Sequence, residues 1–547
     1  MFVSSSRIAP RPADAWDSAY GSIFEALSEI WAPFTTVYLL SGEHTLTPIQ
    51  ADSSLHHLLS IPHTVTITTY FCRSAADTQP ECAAESATLR ITNFDVSLVV
   101  TSELTIRDVI LRGGYSLKSG CQEFSCTYCP AVSLNLATNQ WLTDRKQPVS
   151  QDKFAEQSLC DFFQNSVLFN LSPNSRLSLR NVSIRDIKRQ LKALILNQCG
   201  DLRLQNVTFS NVMTRRLGLN GGVIQQVPMQ AKKPYYCGSF VYEGGLVELL
   251  NDGYEFSDTT YFSGFLWLSD LHQITISNVR FAYNYMYVGD AEQSYGSALL
   301  YFNQFRQLSV RNCTFEFNIA NTGAALYIYS ALKYPLVIEN GLAAEQLLQH
   351  ITIENCVFRA NSGRVGAVIY MQFLQDHPNI LLRNNTFSNN FATQRGIVDI
   401  YFAYLDPKYT TGTTIQVLVQ SSILNVFISP VSTLFTGLNF TSNYAPMLVY
   451  VYNVANYVLQ DSLALDCGDS MSGLNFANNV LANFVRNSRT YMSIQPSLES
   501  ETTCQESFHI ENSYNASVIS SVFQALYCPL GSPGFNILGN SKFVSTI

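Results

Sequence analysis

The sequence predicts an all-β fold, a right-handed parallel β-helix solenoid with an N-terminal cap helix and loop insertions. Three observations predict it. Short segments with an apolar period of two recur along the chain, most of them reach an asparagine and then a phenylalanine three residues on, and a second, almost wholly apolar strand follows.

The first strands are RLSLRNVSI from Arg176, DLRLQNVTF from Asp201, QITISNVRF from Gln273, QLSVRNCTF from Gln307, HITIENCVF from His350 and NILLRNNTF from Asn379. In five of the six, aliphatic residues two apart alternate with polar ones, the pattern of a strand with one buried face. Asn206, Asn278, Asn312, Asn355 and Asn384 follow at one position per repeat. Asparagine suits a turn there, and a residue repeated once per coil can stack on itself, so these five are expected to form an amide ladder. A further motif, F-x-x-N, recurs at Phe281/Asn284, Phe315/Asn318, Phe358/Asn361, Phe387/Asn390, Phe440/Asn443 and Phe476/Asn479.

The second strands are GSALLYF from Gly296, GAALYIY from Gly323, GAVIYMQ from Gly366, GIVDIYF from Gly396 and APMLVYVY from Ala445. Such near-continuous apolar runs are buried on both faces. Asn-Gly and Asp-Gly hairpin turns are scarce, which disfavours an antiparallel sandwich. A parallel coil with like residues stacked about 4.8 Å apart accommodates every segment.

The F-x-x-N motif followed by a Gly-small-Ala-aliphatic strand resembles the repeats of chlamydial polymorphic outer membrane proteins, within the pectin-lyase-like class of right-handed β-helices. The resemblance is clearest over 273–400. It implies the fold; the first glycine of that family's G-G-A-I strand is missing, and no C-terminal membrane barrel is visible.

Residues 1–34 read as an N-terminal segment with a cap helix, from Ile23, Phe24, Leu27 and Ile30 at helical spacing, and Gly42 as the turn of the opening strand pair. The coil is expected over 35–488, interrupted by insertions at about 113–165 and 213–264, and 489–547 as a C-terminal capping segment. Only 14% of residues are charged, against roughly 25% in an ordinary domain, and 47% are hydrophobic, so the chain folds rather than staying disordered. A net charge of −8 with no basic run excludes nucleic acid as a partner, and no apolar run is long enough for a transmembrane segment.

Thirteen cysteines indicate an oxidising compartment, extracellular or cell-surface. No signal peptide is visible in this chain, since Met1 to Pro12 lacks an apolar core; a leader upstream of this start is the expectation. Cys313 and Cys356 share a repeat position and are disulfide candidates one coil apart, a buried pair of unlinked thiols being the alternative. So are Cys121, Cys126, Cys129 and Cys160 within the first insertion; half of a zinc site at Cys126 and Cys129 is the lesser alternative, because the second half is missing. No metal or other cofactor is expected. Seven glycosylation sequons occur, at Asn170, Asn181, Asn206, Asn312, Asn384, Asn439 and Asn515. With ladder amides engaged, Asn170, Asn439 and Asn515 are the expected acceptors.

No converging carboxylates with a basic partner stand on the repeat strands; their one acid is Asp399, and the pair Asp290 and Glu292 reads as a loop. Tyr327, Tyr329, Tyr370, Tyr401 and Tyr450 recur around the same strand of successive coils and form the expected contact strip. The reading is a non-catalytic extracellular structural or adhesive protein, a subunit of a surface layer, fibre or appendage, joined through that strip to itself or to another surface protein, with glycans as further partners. The alternative is a polysaccharide-active enzyme, lyase or glycoside hydrolase, or a carbohydrate-binding module on the same fold.

Overall fold

Strand registers tie each repeat to the next, in parallel and without slip. Phe281 stands opposite Phe315, Phe315 opposite Phe358, Phe358 opposite Phe387 and Phe387 opposite Phe440. The computed structural model describes residues 2–3, 20–30, 32–46, 57–72, 82–91, 96–113, 132–135, 140–143, 167–189, 193–214, 222–226, 237–249, 264–286, 299–320, 322–330, 349–363, 366–374, 378–392, 395–403, 413–419, 422–428, 432–443, 445, 447–452, 456–465, 508–511, 515–524, 535–538 and 542–546. They form two units, Met1–Val227 and Pro228–Ile547, each a right-handed parallel β-helix with three strand faces per coil.

In the first unit, face one stacks His57–Ile61, Val96–Val100, Val167–Leu171, Ala193–Asn197 and Gly222–Gln226. Face two runs from Thr35–Leu39 through Val65–Thr69, Glu103–Arg107 and Arg176–Arg180 to the start of Asp201–Thr214, and face three stacks Glu43–Thr45, Ala87–Ile91, Val109–Gly113, Ser183–Arg189 and the end of Asp201–Thr214. At the N-terminal end the helix is shorter than expected, Ile23–Ser28, with Ser22 Oγ accepting from the Glu25 N–H at 3.1 Å. Cys72 and Cys82 form a disulfide.

In the second unit, face one holds Leu326–Ser330, Ile369–Phe373, Gly396–Phe402 and Met447–Tyr452; face two holds His350–Glu354, Asn379–Arg383, Thr433–Thr436 and Asn456–Gln460; face three holds Thr314–Glu316, Val357–Arg359, Thr386–Ser388 and Asn439–Thr441. The stretch expected as an insertion at 213–264 instead contributes coil strands, Gly222–Gln226 in the first unit and Ser239–Glu248 in the second. Likewise, 489–547 carries further rungs: Phe508–Glu511 and Asn515–Ile519 pair onward to Phe535–Leu538 and Lys542–Thr546. Ser239–Glu248 and Asn515–Ile519 lack the Asn-x-x-Phe signature by which the repeats are recognised in the sequence.

The turn between faces two and three explains that signature. Asp108, Asn181, Asn206, Asn278, Asn312, Asn355, Asn384, Gly437, Asp461 and Ser520 all have φ between 48° and 62° there. Left-handed backbone crowds a Cβ, and short polar side chains tolerate it best. The turn N–H reaches the next coil: Asn355 N–H donates to Arg383 O at 2.9 Å and Asn384 N–H to Thr436 O at 2.9 Å.

The five asparagines expected as the ladder are thus outward turn residues. Their side-chain rows are exposed, with Asn206 Nδ2 donating to Asn181 Oδ1 at 3.1 Å and Asn312 Nδ2 to Asn278 Oδ1 at 3.4 Å. The closed ladder belongs to the F-x-x-N asparagine. Asn284, Asn318, Asn361, Asn390 and Asn443 are fully buried. Asn361 Nδ2 donates to Phe315 O at 2.9 Å and to Asn390 Oδ1 at 3.0 Å, while its own Oδ1 accepts from the backbone N–H and Nδ2 of Asn318. Each amide so satisfies backbone groups that the corner would otherwise bury unpaired.

Beside this ladder, Phe281, Phe315, Phe358, Phe387 and Phe440 stack at 4.7, 5.0, 4.9 and 4.8 Å between ring centroids. That is the rung spacing itself.

Cys313 and Cys356 lie one coil apart and are free, buried thiols rather than a disulfide. Their sulfurs cap carbonyls instead: Cys313 Sγ donates to Arg311 O at 3.2 Å and Cys356 Sγ to Glu354 O at 3.3 Å. One coil further, Asn385 holds the same position and donates to Ile353 O at 2.8 Å. The position selects a compact donor, and cysteine is one. The Cys313 sulfur and burial together push the Cys356 thiol well above its ordinary value, so it stays protonated and unreactive. Cys121, Cys126, Cys129 and Cys160 lie outside the described residues.

Candidate contact surface on face one of the second unit

Alternation along a strand sends every second side chain of face one outward. In Leu326–Ser330 the inward residues are Leu326, Ile328 and Ser330, and the outward ones are Tyr327 and Tyr329. Parallel register repeats this choice in two outward rows. One runs Trp267, Tyr301, Tyr327, Tyr370, Asp399 and Tyr450; the other runs Ser269, Asn303, Tyr329, Gln372, Tyr401 and Tyr452.

Rings in these rows lie on one another. Trp267 and Tyr301 centroids are 5.8 Å apart and 5° from parallel, Tyr327 and Tyr370 are 5.1 Å apart, and Tyr401 and Tyr452 are 5.1 Å apart at 8°. Glycine makes room for the first row. Gly366 has φ +49°, and a Cβ there would sit 2.8 Å from Tyr370 Cβ and 3.1 Å from Asp399 Cβ. The glycine that opens this strand is therefore a fit to the ring beside it.

The expected strip divides once burial is considered. Tyr327 and Tyr370 are 1% and 8% exposed, so the chain itself covers them, and a side chain so enclosed offers little to a partner. Tyr329, Tyr401 and Tyr450 are half-buried, as are Tyr301 and Tyr452, two rings of the same rows. The sequence could place all of these on one strand face; it could not show which of them lie beneath other parts of the chain.

Asp399 interrupts the aromatic row. It is wholly buried, and neither carboxylate oxygen makes a hydrogen bond among the described residues. Its ion pair is Arg395, at 3.8 Å, whose guanidinium also lies 5.4 Å from the Tyr450 ring centroid. Burial raises the Asp399 carboxyl to about 7, with the Arg395 charge pulling the other way. Its neighbours in the row are Tyr370 and Tyr450.

Other charges are set between coils. Glu354 lies between Arg311, at 3.1 Å, and Arg383, and Glu316 lies between Arg280, at 2.6 Å, and Arg359. Burial opposes ionisation of Glu316, yet the two guanidiniums outweigh it and hold the carboxyl below its usual range. These triads lie around the corner of faces two and three and clamp successive coils. No group of three or more potential metal ligands occurs among the described residues. No helix among them is long and apolar enough to cross a membrane.

The expected glycan acceptors fare unequally. Asn170 is 9% exposed and its Oδ1 accepts from Gln198 Nε2 at 3.1 Å, so a glycan there would disrupt the packing. Asn439 is half-buried on face three, accepting from Thr441 Oγ1 at 3.0 Å. Asn515 takes part in the strand Asn515–Ile519. Asp290 and Glu292 fall outside the described residues.

No family model matches the chain, and no curated protein matches it. Among solved structures, the Streptococcus pneumoniae surface protein and adhesin PfbA is similar over 93% of this chain and 91% of its own, at 9% identity and a TM-score of 0.38.

Proposed function

We propose that this chain is a non-catalytic extracellular or cell-surface structural protein that associates with further copies of itself through face one of its second unit. The observation that carries the reading is the pair of outward aromatic rows, whose half-buried rings Tyr329, Tyr401, Tyr450 and Tyr452 present flat apolar surface, Tyr401 and Tyr452 one rung apart. Rings of this kind bury much area at little cost in side-chain entropy, which is why tyrosine is favoured at contact surfaces. Coils locked by the amide ladder and the phenylalanine stack give those rings a rigid backing. The Cys72–Cys82 disulfide supports an oxidising location.

A second reading, glycan recognition without turnover, draws on the same rings, since a sugar face stacks on a flat aromatic platform. The two separate by experiment. Sedimentation velocity of the full chain over a concentration series, with photochemical dityrosine cross-linking, is expected to show multimers joined at Tyr401 or Tyr452. A chain that stays monomeric at every concentration while a glycan array retains it would replace self-association with sugar binding.

A further inference from the structure

We infer that the outward asparagine row at the corner of faces two and three is a row of N-glycan acceptors, with Asn312 and Asn384 in the second unit and Asn181 and Asn206 in the first as its sites. Each of the four stands in an N-x-S/T sequon. Each is exposed in a left-handed turn, with φ of 52°, 53°, 51° and 51° respectively.

The local geometry separates these sequons from the rest. The middle residue points inward and anchors the turn: Cys313, Asn385, Val182 and Val207 are all buried, at 2% exposure or less. The hydroxyl residue two positions on, Thr314, Thr386, Ser183 or Thr208, faces outward and is half-exposed. Acceptor amide and hydroxyl thus stand on the same outer side of a tight turn, clear of the core. By contrast, Asn170 holds its sequon within a strand buried at every position.

In the transfer, Asn Nδ2 attacks the anomeric carbon of an oligosaccharide carried on a lipid pyrophosphate. The C–N bond forms, the bond from that carbon to the pyrophosphate oxygen breaks, the lipid pyrophosphate leaves with the electron pair, and Nδ2 gives one proton to a base. The modified nitrogen keeps one hydrogen.

Rung spacing sets the occupancy. Asn181 and Asn206 are on successive coils, about 4.8 Å apart, too close for two branched glycans side by side. The Asn355 rung separates Asn312 from Asn384, about 10 Å for two rungs, and both can be filled. In the second unit the glycans project from the corner of faces two and three, away from face one, so this inference stands independently of the proposed contact surface.

The test is the full chain directed into the secretory pathway of a eukaryotic host, purified from whole-cell extract and deglycosylated by peptide N-glycosidase in heavy-oxygen water, which marks each occupied asparagine as labelled aspartate. The expected result is label at Asn312 and Asn384, and at one of Asn181 and Asn206 per molecule. A folded chain unlabelled at both Asn312 and Asn384, or labelled at Asn170, overturns the inference. The double variant Thr314→Ala, Thr386→Ala keeps asparagine in both left-handed turns. It should lose the mass of two glycans with an unchanged melting temperature, and an unchanged mass would overturn the inference as well.

Discussion

Two rows of asparagine run along the second unit, one residue type in two environments. The inner row, Asn284 to Asn443, is fully buried, and its amides close the corner by bonding both backbone and one another. The outer row, Asn278 to Asn384, is exposed and was chosen for its backbone, because an asparagine tolerates positive φ. The difference shows in what can replace each. Glycine, aspartate and serine take the outer position at Gly437, Asp461 and Ser520, whereas the inner position is asparagine in all five consecutive rungs. Stacking thus has two uses here: inside it holds the coil together, and outside it multiplies one surface feature along the axis.

The largest effect that would sharpen this contrast is on the inner row. Asn361→Ala strands the Asn318 N–H and Phe315 O in a buried corner, and chemical denaturation should record a loss of about 3–5 kcal/mol. A loss below about 1 kcal/mol would mean that the ladder is ornamental to stability.

Asp399 gives the next largest, with the opposite sign. Its folded-state pKa of about 7 lies above the unfolded value, so the folded chain holds a proton that the unfolded chain releases. Its contribution is neutral below about pH 4, turns increasingly unfavourable as pH rises towards 7, and stays so above. Asp399→Asn should raise stability at pH 8 by roughly 2–4 kcal/mol, leave it unchanged at pH 4, and flatten the profile between. A variant less stable than wild type at pH 8 would show that the Arg395 pair outweighs the desolvation.

On the outer row the expected changes are smaller. Asn355→Ala places a Cβ at φ 53° without the local polar contacts and should cost about 1 kcal/mol, while Asn355→Gly should be near neutral. Equal losses for the two would break the argument that backbone conformation selects this row.

Much of the architecture was legible in the sequence because a parallel coil repeats its side chains in register. The period of two, the Asn-x-x-Phe spacing and the apolar second strand all correspond to real faces. The choice of ladder was not legible from recurrence alone, since Asn312 and Asn318 recur equally well; only the tolerance of Gly, Asp or Ser at the first position separates turn from core. Cys313 and Cys356 left two readings open for a related reason. Sharing a rung position brings two thiols close, but the capped carbonyls at Arg311 and Glu354 explain the residue choice without a bond between them. For the tyrosines, alternation fixed the outward direction, while the burial of Tyr327 and Tyr370 depends on how tightly the rings of successive coils pack on them.

The smallest expected change in stability carries the most functional weight. Tyr401→Ser with Tyr452→Ser removes two stacked, half-buried rings from face one and leaves the ladder and the phenylalanine stack intact. Sedimentation velocity of this pair of substitutions against wild type tests the proposed contact most directly. Wild type should form multimers and the variant should remain monomeric, with a melting temperature close to wild type; a variant that assembles as readily as wild type would contradict the proposed role of face one.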